Sequence, residues 1–436
     1  MGGPGHVLRA ILCTFLALGI APTTQVTLAH ANNSRLPFNP SNPYAIVVGE
    51  VGTVFIFDGQ QLHQFQPPVS SDLNSVKWRH DGQYALAVGE NSTLLKIAVS
   101  NNAIDIEKIP TNLDPSHTFE SITWTQDDSM AIVSGPGGNL IVYDGSTASV
   151  IHYNITQPVF ASAFSPTNNL ALLVGQSGLI AEHNSTITHV VDPKPTNYSF
   201  FGVGWDPTGK YALVGGDHAK LFKYQGGTLT EQNTAVLFEV APHLIRSITF
   251  NKDGGVGLIT GQLGLTVVAT TATCDYSIFN NPSTVCLNYK RLQLYNDFNG
   301  TRVDLHRIGH FYSASWMPGT QTAYAVGTSL DGSYFNVRGW TVAKITTTDV
   351  TVILQDRKGV YGFRSIDWNP TVRAGGETVL MYYIILIGTA GFASVVVVTK
   401  RKTLGGWFVG HHKETGITKT ARMRQTETDV VEFSEP

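Results

Sequence analysis

Short hydrophobic runs of about five residues, separated by polar turns, recur between residues 36 and 370. One unit contains the runs 75–78, 84–88, 93–98 and 104–109, with Gly, Asn and Asp between them. Runs of this length are typical of β-strands, and Gly and Asn tolerate the positive φ that tight turns between twisted strands require. Each unit therefore predicts four short antiparallel strands.

The units share an aromatic residue, Ala or Gly seven positions later, and Gly eleven positions later. The complete copies are Phe38–Ala45–Gly49, Trp78–Ala85–Gly89, Trp124–Ala131–Gly135, Phe164–Ala171–Gly175, Trp205–Ala212–Gly216, Phe250–Gly257–Gly261 and Trp316–Ala323–Gly327. A fixed period of about 40 to 50 residues, filled with strands, predicts a propeller or a solenoid. We interpret the rings as packing between neighbouring blades, and the small residue as fitting the crowded inner strands.

The two ends of the repeat array predict how a ring would close. Pro37 and Pro40 flank the first aromatic residue, where a ladder strand needs N–H groups. A last, truncated copy supplies only a first strand, residues 364–368. We expect this strand to complete the N-terminal blade. The predicted fold class is an all-β, seven-bladed β-propeller; counting every aromatic start gives eight blades.

Several turns carry a family resemblance. Phe164-Ser-Pro-Thr, Trp205-Asp-Pro-Thr-Gly and Trp368-Asn-Pro-Thr resemble the strand-turns of the WD-repeat-like and YVTN-type β-propeller superfamily. The segments 54–59 and 140–145 lie where such repeats place a closing Trp-Asp, although that dipeptide and the Gly-His pair are absent here. The resemblance covers residues 36 to 370 and implies the fold, while propellers serve many functions.

The N-terminus is typical of a secretory signal. Residues 1–31 combine Arg9, a short apolar stretch and the small-x-small sequence Ala29-His30-Ala31. We expect cleavage after Ala31; an uncleaved anchor is the alternative. Residues 32–370 would then be a propeller ectodomain, followed by a linker over 371–378.

Residues 379–399 contain no charged side chain, and Lys400-Arg401-Lys402 follows directly. A helix of this length spans the hydrocarbon core of a bilayer. The positive-inside rule places the tail, 400–436, in the cytoplasm and the propeller outside. The tail is polar and is expected to be disordered. The sequence thus predicts a single-pass cell-membrane protein.

Cysteines and sequons fit an external location. We expect Cys274 and Cys286 to form a disulfide, with buried free thiols as the alternative. Six Asn-x-Ser/Thr sequons are candidate glycosylation sites: Asn32, Asn91, Asn154, Asn184, Asn197 and Asn299.

Charge and motifs exclude several function classes. The N-terminal segment and the tail hold eight of the 29 basic and five of the 32 acidic residues, so residues 32–399 are net acidic. An acidic surface disfavours nucleic acid. HExxH, GxSxG, P-loop, CxxCH and sialidase-type Asp-box motifs are absent. We therefore predict no enzyme, no cofactor and no metal.

Two sets of positions are predicted to converge on one face of the ring. Residues directly after the repeat Gly include Glu50, Glu90, Gln176, Asp217 and Gln262, together with Pro136 and Thr328. Residues four before the repeat aromatic include Glu120, Arg246 and Arg364, together with Asn74, Phe160, Phe201 and Tyr312. This face is the candidate binding surface. The long interval from Phe250 to Trp316 also predicts an insertion, about 270–305, that protrudes from the sixth blade.

Three functions fit these expectations. The leading one is a membrane-anchored external scaffold or adhesion-type protein that binds a protein or glycan. The alternative is an accessory or assembly subunit of a membrane protein complex. A propeller enzyme is the third.

Overall fold

The structure is a computed structural model. It describes residues 27–28, 36–100, 103–136, 139–152, 155–184, 188–191, 196–232, 243–272, 286–296, 301–304, 308–330, 337–374, 382–389 and 392–399. Two compact units are present, residues 1–374 and residues 375–436.

The described residues of the first unit form seven sheets, one for each predicted blade, and all but two of their strand pairs are antiparallel. Blade 1 combines the first four strands of the protein with the strand Phe363–Trp368, and the next three blades each use four consecutive strands. The strands of blades 1 to 4 are β1 (Thr27–Leu28), β2 (Ala45–Gly49), β3 (Val54–Phe57), β4 (Leu62–Phe65), β5 (Leu73–Trp78), β6 (Ala85–Gly89), β7 (Thr93–Val99), β8 (Ile104–Lys108), β9 (Ser121–Trp124), β10 (Ala131–Ser134), β11 (Asn139–Tyr143), β12 (Ala148–His152), β13 (Val159–Phe164), β14 (Ala171–Gly175), β15 (Ile180–His183) and β16 (Thr188–Val190).

Blades 5 and 6 repeat the four-stranded pattern, and blade 7 has six strands. Their strands are β17 (Phe200–Trp205), β18 (Ala212–Gly216), β19 (Leu221–Gln225), β20 (Thr228–Glu231), β21 (Ile245–Phe250), β22 (Gly257–Gly261), β23 (Thr266–Ala272), β24 (Cys286–Arg291), β25 (Leu294–Asn296), β26 (Arg302–Asp304), β27 (Gly309–Trp316), β28 (Ala323–Leu330), β29 (Val337–Ile345) and β30 (Val350–Asp356). Short 3-10 turns follow four of the repeat glycines: Glu50–Gly52, Gln176–Gly178, Asp217–Ala219 and Gln262–Gly264.

The strand β31 (Phe363–Trp368) closes the ring. It pairs antiparallel with β2, so the last strand of the propeller is the inner strand of blade 1. The inner strands contact one another in the cyclic order β31, β5, β9, β13, β17, β21, β27 and back to β31. The predicted seven-bladed propeller and its closure by a C-terminal strand are therefore confirmed.

The repeat aromatic residues pack between blades, as their spacing predicts. The indole Nε1–H of Trp205 donates to the carbonyl of Ala163 at 3.0 Å, and Trp124 donates in the same way to Lys77 at 3.4 Å. Hydroxyl groups add a second link. Ser365 Oγ accepts the backbone N–H of Val76 at 3.1 Å, across the boundary between blades 1 and 2. Because an inner strand has no further strand on its axial side, such acceptors satisfy its edge N–H groups.

The repeat Gly has a steric cause that is the same in all seven blades. A Cβ at Gly89 would overlap the carbonyl oxygen of Asp72, and each of the other repeat glycines faces a backbone carbonyl at or just before the start of an inner strand in the same way. In six of the seven blades the close approach lies beside a β-bulge. In blade 2 the register moves from Leu73 opposite Gly89 to Ser75 opposite Val88, which leaves Asn74 unpaired. Equivalent bulges occur in blades 1, 4, 5, 6 and 7.

The predicted insertion over about 270–305 lies only partly within the described residues, so its protrusion from the sixth blade stays a prediction. Residues 286–291 form the outer strand of blade 6, and 294–296 pair in parallel with β30 of blade 7. Strand-forming residues therefore extend existing sheets, whose outer edges offer unpaired backbone groups. Cys286 is disulfide-bonded. Its predicted partner Cys274 lies outside the described residues, so that pairing stays a prediction.

The second unit contains the antiparallel strands β32 (Tyr382–Thr389) and β33 (Phe392–Thr399). They occupy the segment in which the sequence predicts a membrane-spanning helix. The difference has a local reason, because Ile and Val are abundant there and β-branched residues favour extended backbone. Within the described residues, no helix has the length and apolar character needed to cross a bilayer. Most of the predicted signal segment and the whole tail lie outside the described residues.

Candidate functional site

One residue of each blade lies at the same opening of the propeller axis, and in six blades a bulge places it there. We call this set the mouth ring; its members are Asn74, Glu120, Phe160, Phe201, Arg246, Tyr312 and Arg364. Six of them are the unpaired residues of the bulges, and Glu120 directly precedes β9 and donates its N–H to Ser134. A bulge changes the direction of a side chain from the one that the regular alternation of a strand would give it. All seven residues are partly exposed.

Five members of the mouth ring form a continuous stack. Phe160 and Phe201 are stacked with centroids 5.0 Å apart. The guanidinium carbon of Arg246 lies 4.9 Å from the Phe201 centroid and 5.4 Å from that of Tyr312. The guanidinium carbon of Arg364 lies 4.7 Å from the same Tyr312 centroid. The stack spans blades 4, 5, 6, 7 and 1, and cation–π contact holds both arginines over aromatic rings.

Carboxylates complete the opening. Glu50 pairs with Arg364 at 2.6 Å and also accepts the N–H of Gly362, so this arginine is neutralised from blade 1 itself. Burial raises the pKa of Glu120, and repulsion from Glu90 adds to it, against the weaker attraction of Arg364 and Arg246. Both guanidinium groups therefore act on Glu120 electrostatically, although Glu120 forms no ion pair among the described residues.

The remaining predicted residues lie around the mouth ring on the same face, which we call the bulge face. Glu50, Gln176, Asp217 and Gln262 each begin a 3-10 turn, and Glu90 occupies the matching turn of blade 2. Their backbone N–H groups bond the link that precedes the inner strand, as Asp217 does to Ser199 at 2.9 Å. The structure thus brings all eight predicted binding residues to one face, with Glu120, Arg246 and Arg364 at its centre.

Sequence reasoning missed other features of this face. His310 accepts the N–H of Leu263 through Nδ1 at 3.0 Å, and burial together with the charge of Arg246 lowers its pKa. Three large hydrophobic residues are exposed in the part of the protein that the structure describes, and all lie in bulge-face turns: Val51 at 59%, Tyr198 at 39% and Val360 at 88%. Val51 could have been found from the sequence, because it directly follows Glu50 in a predicted turn.

The opposite side, which we call the turn face, carries the links between the first and second strands. Here Asp367 joins three blades: it accepts the N–H of Trp78 at 2.9 Å, the Nζ of Lys77 at 3.2 Å and the Oγ of Ser315 at 3.1 Å. Burial lowers the pKa of nearby Lys252, although the residue as a whole is exposed to solvent. We interpret this cluster as structural because its central carboxylate is fully engaged.

Three candidate glycosylation sites lie within the described residues, and all three are exposed. Asn91 and Asn197 lie in bulge-face turns, whereas Asn184 follows β15 at the turn face. Asn91 Nδ2 also donates to Ser71 at 2.8 Å. The positions Asn32, Asn154 and Asn299 lie outside the described residues.

Within the described ranges, no three His, Cys, Asp or Glu residues form a group that could hold a metal ion. No family model and no curated protein sequence matches this protein. A solved structure with a similar path is the β-propeller domain of Cps50 (Swd1) from Myceliophteria thermophila. It is 11% identical, with a TM-score of 0.47 over 68% of this protein and 90% of that domain. At this distance the likeness carries no conclusion about function.

Proposed function

We propose that this protein is an interaction scaffold that binds a protein partner through its bulge face, with the mouth ring at the centre of the contact. The observation that carries the proposal is the mouth ring itself. A bulge in six of seven blades costs regular pairing, and it leaves three aromatic residues and two arginines partly exposed at one opening. Aromatic residues and arginine dominate binding energy at protein interfaces.

The surroundings of the mouth ring support the same role. The exposed residues Val51, Tyr198 and Val360 offer apolar contact area around a polar centre. Single exposed hydrophobic residues are common on any protein surface. What supports a binding role is that these three lie on the same face. The seven blades hold this face rigidly, because their inner strands form a closed ring.

The cellular setting is a further part of the proposal. The uncharged run at 379–399 with three basic residues behind it supports attachment to a membrane, with the propeller outside the cell. The proposal requires residues 379–399 to be helical in the bilayer, where every backbone group must be satisfied internally. In this setting the bulge face would meet an external partner as an adhesion-type or scaffold protein.

The proposal is tested by cross-linking the full-length protein on intact cells, followed by mild-detergent capture and mass spectrometry. The mouth variant combines Glu120→Ala with Phe160→Ala, and the control combines Lys252→Ala with Arg373→Ala on the turn face. We expect the mouth variant to weaken capture by about thirtyfold or more, the effect of losing a hot-spot contact, and the control to retain it. Equal capture by both variants would refute the bulge face as the binding surface. A stoichiometric integral membrane protein among the captured partners would identify the scaffold as an accessory subunit.

A further inference from the structure

Arg246 differs from the arginines that form ion pairs. Arg79, Arg302, Arg364 and Arg373 each have a carboxylate oxygen within 3.9 Å. Among the residues that the structure describes, Arg246 has neither an ion pair nor a hydrogen bond from its guanidinium. Asp217 and Glu120 act on it only at longer range.

The position of this guanidinium is nevertheless well defined. Phe201 and Tyr312 lie 4.9 Å and 5.4 Å from its central carbon, and the residue is half-buried in the mouth ring. Desolvation of a charge without a close counter-ion costs free energy. The guanidinium keeps five N–H donors in a fixed planar arrangement that suits a carboxylate in bidentate contact.

We propose that Arg246 binds a carboxylate group of the partner inside the mouth ring, an inference that rests on the proposed function. The surrounding acidic residues select among anions. Glu50, Glu90, Glu120 and Asp217 lie on the same face, so a singly charged carboxylate meets less repulsion than a doubly charged phosphate. The carboxylate has two sources in a partner protein, the side group of an Asp or Glu and the free C-terminus.

The test uses the full-length protein and two libraries of random short peptides, identical except that one ends in a free carboxylate and the other in an amide. Peptides are selected on the unmodified protein, and their affinities are then measured for Arg246→Met, Arg246→Lys and the turn-face control Arg373→Met. Inorganic phosphate is added as a competitor. If the partner's carboxylate is an Asp or Glu side chain, we expect both libraries to yield peptides enriched in Asp and Glu. If it is the free C-terminus, we expect only the library with a free terminal carboxylate to yield binders.

The selected peptides should bind Arg246→Met at least about thirtyfold more weakly, the loss that follows removal of one partner of a close charge pair. The affinity of Arg246→Lys should lie between those of the unmodified protein and Arg246→Met, because lysine keeps the charge and loses the planar guanidinium. Arg373→Met should bind the peptides as tightly as the unmodified protein. Selection without carboxylate enrichment, no selection at all, or stronger competition by phosphate than by the peptide carboxylate would overturn the inference. The composition of the selected peptides depends on the unmodified protein alone, so misfolding of a variant cannot decide it.

The outcomes also separate the two proposals. If the Glu120 and Phe160 variant loses its partner while Arg246→Met captures it normally, the bulge face binds the partner and the carboxylate assignment is wrong. If the Glu120 and Phe160 variant captures normally, the binding-face proposal itself fails.

Discussion

The indole Nε1–H of Trp78 donates to the backbone carbonyl of Asp367 at 3.1 Å, across 289 residues of sequence. The carboxylate of the same Asp367 accepts the backbone N–H of Trp78 and contacts Lys77 and Ser315. Blades 7, 1 and 2 thus meet at one carboxylate. Since a propeller ring depends on its last interface, this group connects the two ends of the repeat array.

We therefore expect Asp367→Ala to lower the free energy of unfolding by about 2 to 4 kcal/mol, because a buried N–H and a nearby lysine lose their acceptor. Thermal and urea unfolding of the full-length protein measure the change. The matched control is Asp349→Ala, whose exposed pair with Arg302 should contribute less than about 1 kcal/mol. Equal losses in the two variants would show that Asp367 has no special part in ring closure.

A second prediction concerns the steric requirement for glycine at the repeat positions. In Gly89→Ala the new methyl group would overlap the Asp72 carbonyl, so either the bulge or the β5–β6 pairing must shift. We expect a loss of about 2 to 3 kcal/mol, typical of overpacking. Gly226→Ala is the control, since nothing lies within 4 Å of its Cβ position and only its φ of 56° opposes a methyl group, at about 1 to 2 kcal/mol. A milder effect at Gly89 than at Gly226 would contradict the steric explanation of the repeat.

These glycines show why the fold could be predicted from the sequence. The spacing along the sequence from Trp78 to Ala85 and Gly89 is set by one hairpin and its bulge, and that local geometry recurs in most blades. The truncated copy at Trp368 likewise predicted ring closure. Positions relative to the repeat also identified the bulge face, because register within a hairpin is a local property.

Other features depend on contacts that local register does not determine. The stack of Phe201, Arg246 and Tyr312 joins three blades whose repeat aromatics are 45 and 66 residues apart, at Trp205, Phe250 and Trp316. Sequence spacing gives the position of each residue and not its rotamer. The strands β25 and β26 were missed for a related reason: short edge strands acquire their conformation from the sheet they join.

A third prediction concerns pH. Burial, helped by repulsion from Glu90, raises the pKa of Glu120. A carboxyl group with a raised folded-state pKa contributes stability that is present below its unfolded pKa, about 4.3, and is lost as pH rises through the folded value. Glu120→Gln should therefore melt at a higher temperature than the unmodified protein at pH 7, and the difference should vanish below about pH 4. Glu107→Gln, on the exposed strand β8, is the control variant. A Glu120→Gln protein that is less stable at pH 7 would show that the long-range attraction of the arginines outweighs desolvation.

The last prediction uses the placement of the sequons. If the propeller is external and glycosylated, glycans on Asn91 and Asn197 stand on the bulge face, whereas a glycan on Asn184 stands on the turn face. We expect Asn91→Gln combined with Asn197→Gln to strengthen partner capture, because a bulky hydrated glycan beside the mouth ring excludes part of the binding surface. Asn184→Gln removes a glycan of the same kind from the other face and should leave capture unchanged. Mass spectrometry of the purified protein establishes which sites are occupied, and capture is compared at equal expression. Weaker capture after loss of Asn91 and Asn197 would mean that the partner recognises the glycans themselves, which would change the ligand of this face from protein to carbohydrate.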